Sequence, residues 1–257
     1  MNKKTLITLS IITILIIGIG TTLLLHQNDS YSYNNSKNEN KTLLVKDLLN
    51  QNTILTAKEE VGLHSASNNY YYFKGNVINN YLKINDEYWQ IISIDNKSNI
   101  KIIKTEPINN TKYKINNNYL NYNYLDSDVH VELINYFNNN LKDIKSIIKT
   151  DYCVEYQEKC LRSEQEYIGL VNQEELSNII IEENNLSFIK STDFWIMSNN
   201  YLDTEIDQAY FGFINNNGLP DETIIDDEKY IVPVITLDKN TTITGTGTID
   251  NPYIITD

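Results

Sequence analysis

The sequence predicts an α+β fold: an N-terminal transmembrane helix, then one extracytoplasmic domain built on a mostly antiparallel sheet with two helices. Three observations carry that prediction. Residues 5–25, TLITLSIITILIIGIGTTLLL, hold no charge. Residues 69–105 read as three strands joined by two tight polar turns. Residues 129–148 keep a helical period behind a group of N-cap residues.

The apolar segment comes first. About 20 such residues, at 1.5 Å of rise each, cross a hydrocarbon core of roughly 30 Å. Lys3 and Lys4 precede it and place the N-terminus in the cytoplasm, so the remainder faces outward. The segment ends in Leu25, His26 and Gln27, which offer neither a small-x-small cleavage site nor a lipobox cysteine. An uncleaved anchor is therefore preferred to a signal peptide. A type IV pilin leader pattern is absent. The expectation is a single-pass protein of the cell membrane with an extracellular domain. It divides into an anchor at 1–27, a polar tether with a short amphipathic helix at 28–68, and the α+β domain at 69–257. Within the tether, residues 42–51 set Leu43, Leu44, Leu48 and Leu49 at helical spacing, and residues 59–68 read as a connecting loop.

At 257 residues and 41% hydrophobic content, the chain can bury one core of ordinary size. Its net charge is −13, and Lys3 and Lys4 are the only Lys, Arg, Asp or Glu residues ahead of Asp29, so the domain is more acidic still. Such a surface repels phosphate backbones, which excludes nucleic acid as a partner. The excess of asparagine, isoleucine and lysine reads as coding bias of an AT-rich genome.

In the opening strands, Tyr70, Tyr71 and Tyr72 form an aromatic cluster. It is either a sugar-stacking platform or a set of half-buried strand residues. Residues 85–87 supply a turn, since Asn and Asp tolerate left-handed backbone. Residues 88–94, YWQIISI, are apolar on both faces, which predicts a central strand covered on each side. Asp126, Ser127 and Asp128 offer caps for the main helix, whose predicted stripe is Ile134, Phe137, Leu141, Ile144 and Ile148.

Cys153 and Cys160 are the only cysteines. Outside the reducing cytoplasm a disulfide is favoured over two free thiols. Closing so short a loop would stabilise by about 2.5 kcal/mol in the chain-entropy model. A zinc site would need more ligands, and His26, His64 and His130 are scattered. Asn172 and Glu175 fit a capping box for a helix over 173–181. Short apolar strands follow at 193–198, 208–213 and 230–237. Between them, residues 215–229 carry Asp221, Glu222, Asp226, Asp227 and Glu228, which could offer oxygen ligands to calcium but lack the alternating order of a dedicated loop. No metal or cofactor is expected.

Several pieces carry a resemblance: YFKGNVINNYLK at 72–83, YWQII at 88–92, Tyr152 with Cys153, Gly169 and Leu170 ahead of Glu174 and Glu175, Trp195 with Ser198, VPVITL at 232–237, and Thr244 through Asn251 into Pro252 and Tyr253. In this order they resemble a family of uncharacterised membrane-anchored surface proteins of low-GC Gram-positive bacteria. The arrangement is also similar to the C-type-lectin-like fold related to the formylglycine-generating enzyme domain. Gln90 and Val232 stand where the family has arginine, and the lectin sugar motifs Glu-Pro-Asn and Trp-Asn-Asp are absent. Cys153 and Cys160 do not sit where the oxidase-like members keep their reactive pair. The resemblance implies a surface module with a ligand-binding ectodomain, for a glycan or protein ligand, rather than an enzyme. A structural or assembly component of the cell envelope is the alternative.

Overall fold

The computed structural model describes residues 42–56, 60–115, 124–156, 159–180, 192–197, 201–206 and 208–256. For 154–156, 159–162, 201 and 202 the description is of the backbone. Residues 1–41, with the expected anchor and most of the tether, lie outside these. Among the described residues no helix is long and apolar enough to cross a membrane.

In chain order the first half runs β1 (Leu43–Leu44), α1 (Leu48–Gln51), β2 (Ile54–Leu55), β3 (Gly62–Ser65), β4 (Tyr71–Lys74), β5 (Tyr81–Ile84), β6 (Glu87–Ile94), β7 (Ile100–Lys104), β8 (Lys112–Tyr113) and α2 (Asp128–Asn140). The second half runs β9 (Ile147–Ile148), β10 (Thr150–Tyr156), β11 (Lys159–Glu166), β12 (Ile168–Leu170), α3 (Gln173–Ile179), β13 (Phe194–Trp195), β14 (Tyr201–Asp203), β15 (Gln208–Ile214), β16 (Pro220–Ile224), β17 (Lys229–Tyr230), β18 (Pro233–Leu237), β19 (Thr242–Thr244) and β20 (Tyr253–Ile255). The α+β class and the dominance of sheet agree with the sequence. The helix count agrees too: α2 and α3 are the two expected in the domain, and the one-turn α1 lies within the short helix expected over 42–51.

A twelve-stranded sheet holds most of the domain, in the order β1-β19-β20-β5-β6-β4-β3-β2, with β7, β18, β9 and β12 branching from β6. It is mainly antiparallel, with parallel pairs at β2–β3 and β20–β5. Residues Trp89 to Ile94 of β6 are all buried, as a strand covered on both faces must be. A six-stranded sheet, β14-β15-β13-β17-β8 with β16, lies apart from it in hydrogen bonding. Trp195, fully buried, holds that second sheet together. Its indole Nε1 donates to the Tyr113 carbonyl at 2.7 Å, and its ring meets Phe211 and Phe213 edge-on.

The domain takes in residues that the sequence assigns to the tether. Leu43 and Leu44 pair with Ile243 and Thr242, Val45 and Leu48 are buried, and residues 62–65 form β3 instead of a loop. The helical spacing of the leucines holds for Leu48 and Leu49, where a 3-10 turn over Val45–Asp47 runs into α1, while the half-buried Leu43 and Leu44 instead pair as a strand with the far end of the chain.

Helix α2 is shorter than predicted. Ser127 caps it, its Oγ accepting from the His130 amide at 3.0 Å. It stops at Asn140, where three successive asparagines favour helix weakly, and the Asn140 side chain donates to the Tyr136 carbonyl at 3.0 Å. The deepest residues are Val129, Leu133 and Tyr136 rather than the predicted stripe. Ile134 and Phe137 are half-buried on its flank, and Ile148 belongs to β9. Tyr136 donates from its hydroxyl to Glu87 Oε2, and the buried Lys104 meets the other Glu87 oxygen at 3.2 Å. This bond fastens the helix to the sheet.

The hairpin β10–β11 is a two-stranded sheet of its own, in register from Thr150↔Glu166 to Tyr156↔Lys159 with a bulge at Val154 and Glu155. Cys153 is disulfide-bonded, and Cys160 is the chain's only other cysteine. At the root of the hairpin the Tyr152 ring lies flat over Gly169, where an added Cβ would come within 2.3 Å of it. The Tyr152 hydroxyl donates to the Val234 carbonyl at 3.1 Å.

Two outcomes follow from this packing. Gly169→Ala forces Tyr152 out of its seat and should cost about 1–3 kcal/mol in chemical denaturation; a neutral result would show that the ring is loosely held. Intact-mass analysis without reductant should find no alkylatable thiol, and reduction should lower stability by about 2.5 kcal/mol.

Candidate functional site

A cleft of about 450 Å³ opens where three segments meet. Ala66, Ser67, Asn68 and Tyr70 come from the turn between β3 and β4. Asp95 and Asn96 come from the β6–β7 turn, and Asn172, Glu174, Glu175 and Asn178 from α3 and its cap. Each segment has a local reason for its shape. Asn68 and Asn69 both hold left-handed backbone, at φ 59° and 57°, which asparagine tolerates best among residues with a Cβ. Asp95 Oδ1 accepts from the amides of Lys97 and Asn99, each at 2.8 Å, and so closes its own turn.

The α3 wall is built by the capping box. Asn172 Oδ1 accepts from the Glu175 amide at 2.8 Å, and Glu175 Oε2 accepts from the Asn172 amide at 3.2 Å. Glu175 Oε1 also pairs with Lys101 Nζ on β7, which ties the wall to the main sheet. The Lys101 ammonium stands 5.4 Å from the Tyr152 ring centre. Glu174 and Asn178, four residues apart, share one face of the helix. Glu174 is exposed and has no ion-pair partner among the described residues.

Burial pushes the Tyr70 phenol well above its usual range, and the Glu175 carboxylate adds to this, while a hydrogen bond with Ser93 opposes it. The phenol is therefore neutral, able to donate and accept. With Asp95 committed to its turn and Glu175 to Lys101, the cleft presents Glu174, four asparagines and Tyr70. That set pairs well with hydroxyl groups and disfavours anions.

Of the three tyrosines predicted as a cluster, only Tyr70 reaches the cleft. Tyr71 and Tyr72 are half-buried strand residues against the core, and Tyr72 stacks on His64 at 5.6 Å. His64 is buried, its Nε2 2.7 Å from the Glu60 carbonyl. His130 Nε2 stands 3.6 Å from Glu166 Oε1, and its ring meets Tyr124 edge-on. Neither lies in the cleft, and His26 is outside the described residues. Gln90 is buried and donates to Asn80 Oδ1 at 3.1 Å, and Val232 is buried.

The acidic segment 215–229 is not a loop throughout, as the sequence predicts, because Pro220–Ile224 forms β16 on β15. Asp227 takes a bond from Thr223 and lies 3.6 Å from Lys229. Among the described residues no three His, Cys, Asp or Glu side chains converge as metal ligands. A smaller recess of about 270 Å³ is lined by Gln173, Ile196, Pro220, Asp221 and Glu222. Sequence reasoning saw the capping box as a helix start but not as a cleft wall. The paired asparagines ahead of Tyr70 were the other available signal. No family model, curated protein or solved structure matches this chain.

Other phenols share the direction of Tyr70. Burial raises Tyr124, Tyr136 and Tyr152, with the bond to Glu87 adding at Tyr136. Above about pH 10 the unfolded chain releases these protons and the folded protein keeps them, so stability falls as pH rises. Each phenol contributes about 1.4 kcal/mol per pH unit there. Thermal melts from pH 8 to 11 should show a steep loss beginning near pH 10, shallower in Tyr136→Phe; a flat profile would contradict the burial.

Proposed function

We propose that this protein is a membrane-anchored cell-surface module whose ectodomain binds a neutral, hydroxyl-rich ligand, a glycan, in the cleft between Tyr70, Asp95 and α3. The cleft's chemistry carries this reading. Its volume falls within the range of small-ligand sites, of roughly 300–1,000 Å³, and its lining pairs amides and a carboxylate with a neutral phenol. The uncharged segment at 5–25 and the lectin-like resemblance support it. A catalytic role has no comparable support, because the described histidines lie away from the cleft.

The hairpin β10–β11 favours one other reading, an assembly component of the envelope, since its strands pair with neither larger sheet. A single stoichiometric envelope protein co-purifying through that hairpin would favour it.

The full chain in detergent should bind neutral glycans saturably on an array. Glu174→Gln and Tyr70→Ala should each weaken binding at least about tenfold, or 1.4 kcal/mol. Glu174→Gln should leave the melting temperature unchanged, because Glu174 is exposed. No retention on any glycan would sink the proposal.

A further inference from the structure

The hydrogen bonds of the cleft divide its lining into side chains already committed and side chains left over. Asp95 closes its own turn through Oδ1, and its Oδ2 accepts from the Asn99 side chain at 2.9 Å. Asn172 and Glu175 are occupied by the cap of α3 and by Lys101, and the Tyr70 phenol bonds to Ser93. The remainder includes Asn68, Asn96, Glu174 and Asn178, whose side chains make no hydrogen bond or ion pair among the described residues. None of the four is buried, so the fold itself asks nothing of their side chains.

These four come from all three segments of the cleft. Asn68 stands on the β3–β4 turn, Asn96 on the β6–β7 turn, and Glu174 and Asn178 on α3. The asparagine amides both donate and accept, whereas the Glu174 carboxylate only accepts. The walls therefore differ: α3 brings the acceptor, and the two turns bring groups able to donate. Apolar lining is limited to Ala66 and the Tyr70 ring. They lie together, because the Ala66 amide donates to the Tyr70 carbonyl at 2.8 Å.

We infer that the cleft recognises an N-acetylated amino sugar through its acetamido group. The inference rests on the glycan reading above and narrows it. A secondary amide is planar and trans, so its N–H and C=O point in opposite directions and need partners on separate walls. Glu174 on α3 accepts from the acetamido N–H, and the side-chain amide of Asn96 or Asn68 on the turns donates to its carbonyl. The methyl group lies against Ala66 and the Tyr70 ring, and Asn178 is left for a neighbouring hydroxyl. A lone hydroxyl is served by one wall and gains nothing from their difference. The acetamido group is also uncharged, which suits a lining with no lysine, arginine or histidine.

The test is isothermal titration of the full chain in detergent with two tetrasaccharides, fully acetylated chitotetraose and cellotetraose. Both are the same glucopyranose chain with the same linkage, and they differ only in an acetamido group or a hydroxyl at one ring carbon. Chitotetraose should bind at least about tenfold more tightly. Asn68→Gly, which keeps the left-handed backbone, combined with Asn96→Ala should bring that ratio below about threefold without lowering the melting temperature. Equal affinity for the two sugars overturns the inference and leaves the glycan reading standing. Tighter binding of the deacetylated tetramer would mean that Glu174 takes an ammonium group, and also overturns it. Where neither tetrasaccharide binds, a glycan array decides: hits confined to acetamido sugars of other linkage support the inference, and hits confined to sugars without that group overturn it alone. No hit of any kind overturns the glycan reading and the inference together.

Discussion

The domain is organised by how β6 is satisfied along its length. β7 runs beside it on one edge, while the other edge is shared in succession by β5, opposite Glu87 to Gln90, and β4, opposite Ser93 and Ile94. β4 and β5 are thus two parts of one line, interrupted by residues 75–80. Asn80 closes the break. Its carbonyl accepts from the Ile91 amide at 2.9 Å, and its side chain donates to the Ile91 carbonyl at 2.9 Å. Beside the fully buried Trp89, an unpaired peptide at Ile91 would be costly, so one asparagine side chain stands in for the missing strand.

Breaking that line has consequences on both sides. Residue 75 leaves the ladder and its amide bonds to the Ile179 carbonyl at the end of α3, while at the start of β5 the Tyr81 amide bonds to the Gly247 carbonyl. The first bond fixes α3, and with it one wall of the cleft. The second draws the C-terminal strands against the start of the domain. Glu175 completes the arrangement by serving the helix cap and Lys101 at once, so the cleft's geometry and the sheet's electrostatics depend on the same carboxylate. Removing either member of that partly buried pair would leave the other charge unmatched.

How much was legible differs by element. The strands at 88–94 and 100–104, the Ser127 cap and the Asn172–Glu175 box were readable, because each is set by residues within a few positions of one another, whereas the first of the three expected strands is split into β4 and β5. The leucines at 43–49 were legible in part: Leu48 and Leu49 lie in a helical turn as their spacing suggests, yet Leu43 and Leu44 find strand partners two hundred residues away. The end of α2 was misread for a related reason. The apolar period continues to Ile148, but Leu141 is buried in a turn and Ile147 pairs with Leu237. The cleft was the least legible part, since its three segments are drawn from a stretch of more than a hundred residues and nothing local to any of them shows that they meet.

By itself, the sequence determined the class of fold, the acidity that turns anions away, the uncharged stretch at 5–25 and the local caps and turns. These depend on side-chain type and near neighbours, which a linear reading can see. Only the tertiary structure decided that residues 43–65 join the domain, and that Tyr70 rather than Tyr71 or Tyr72 reaches a cleft. The reason is strand pairing between distant segments. It chooses among local conformations of similar energy by which one buries apolar area and leaves no backbone group unpaired.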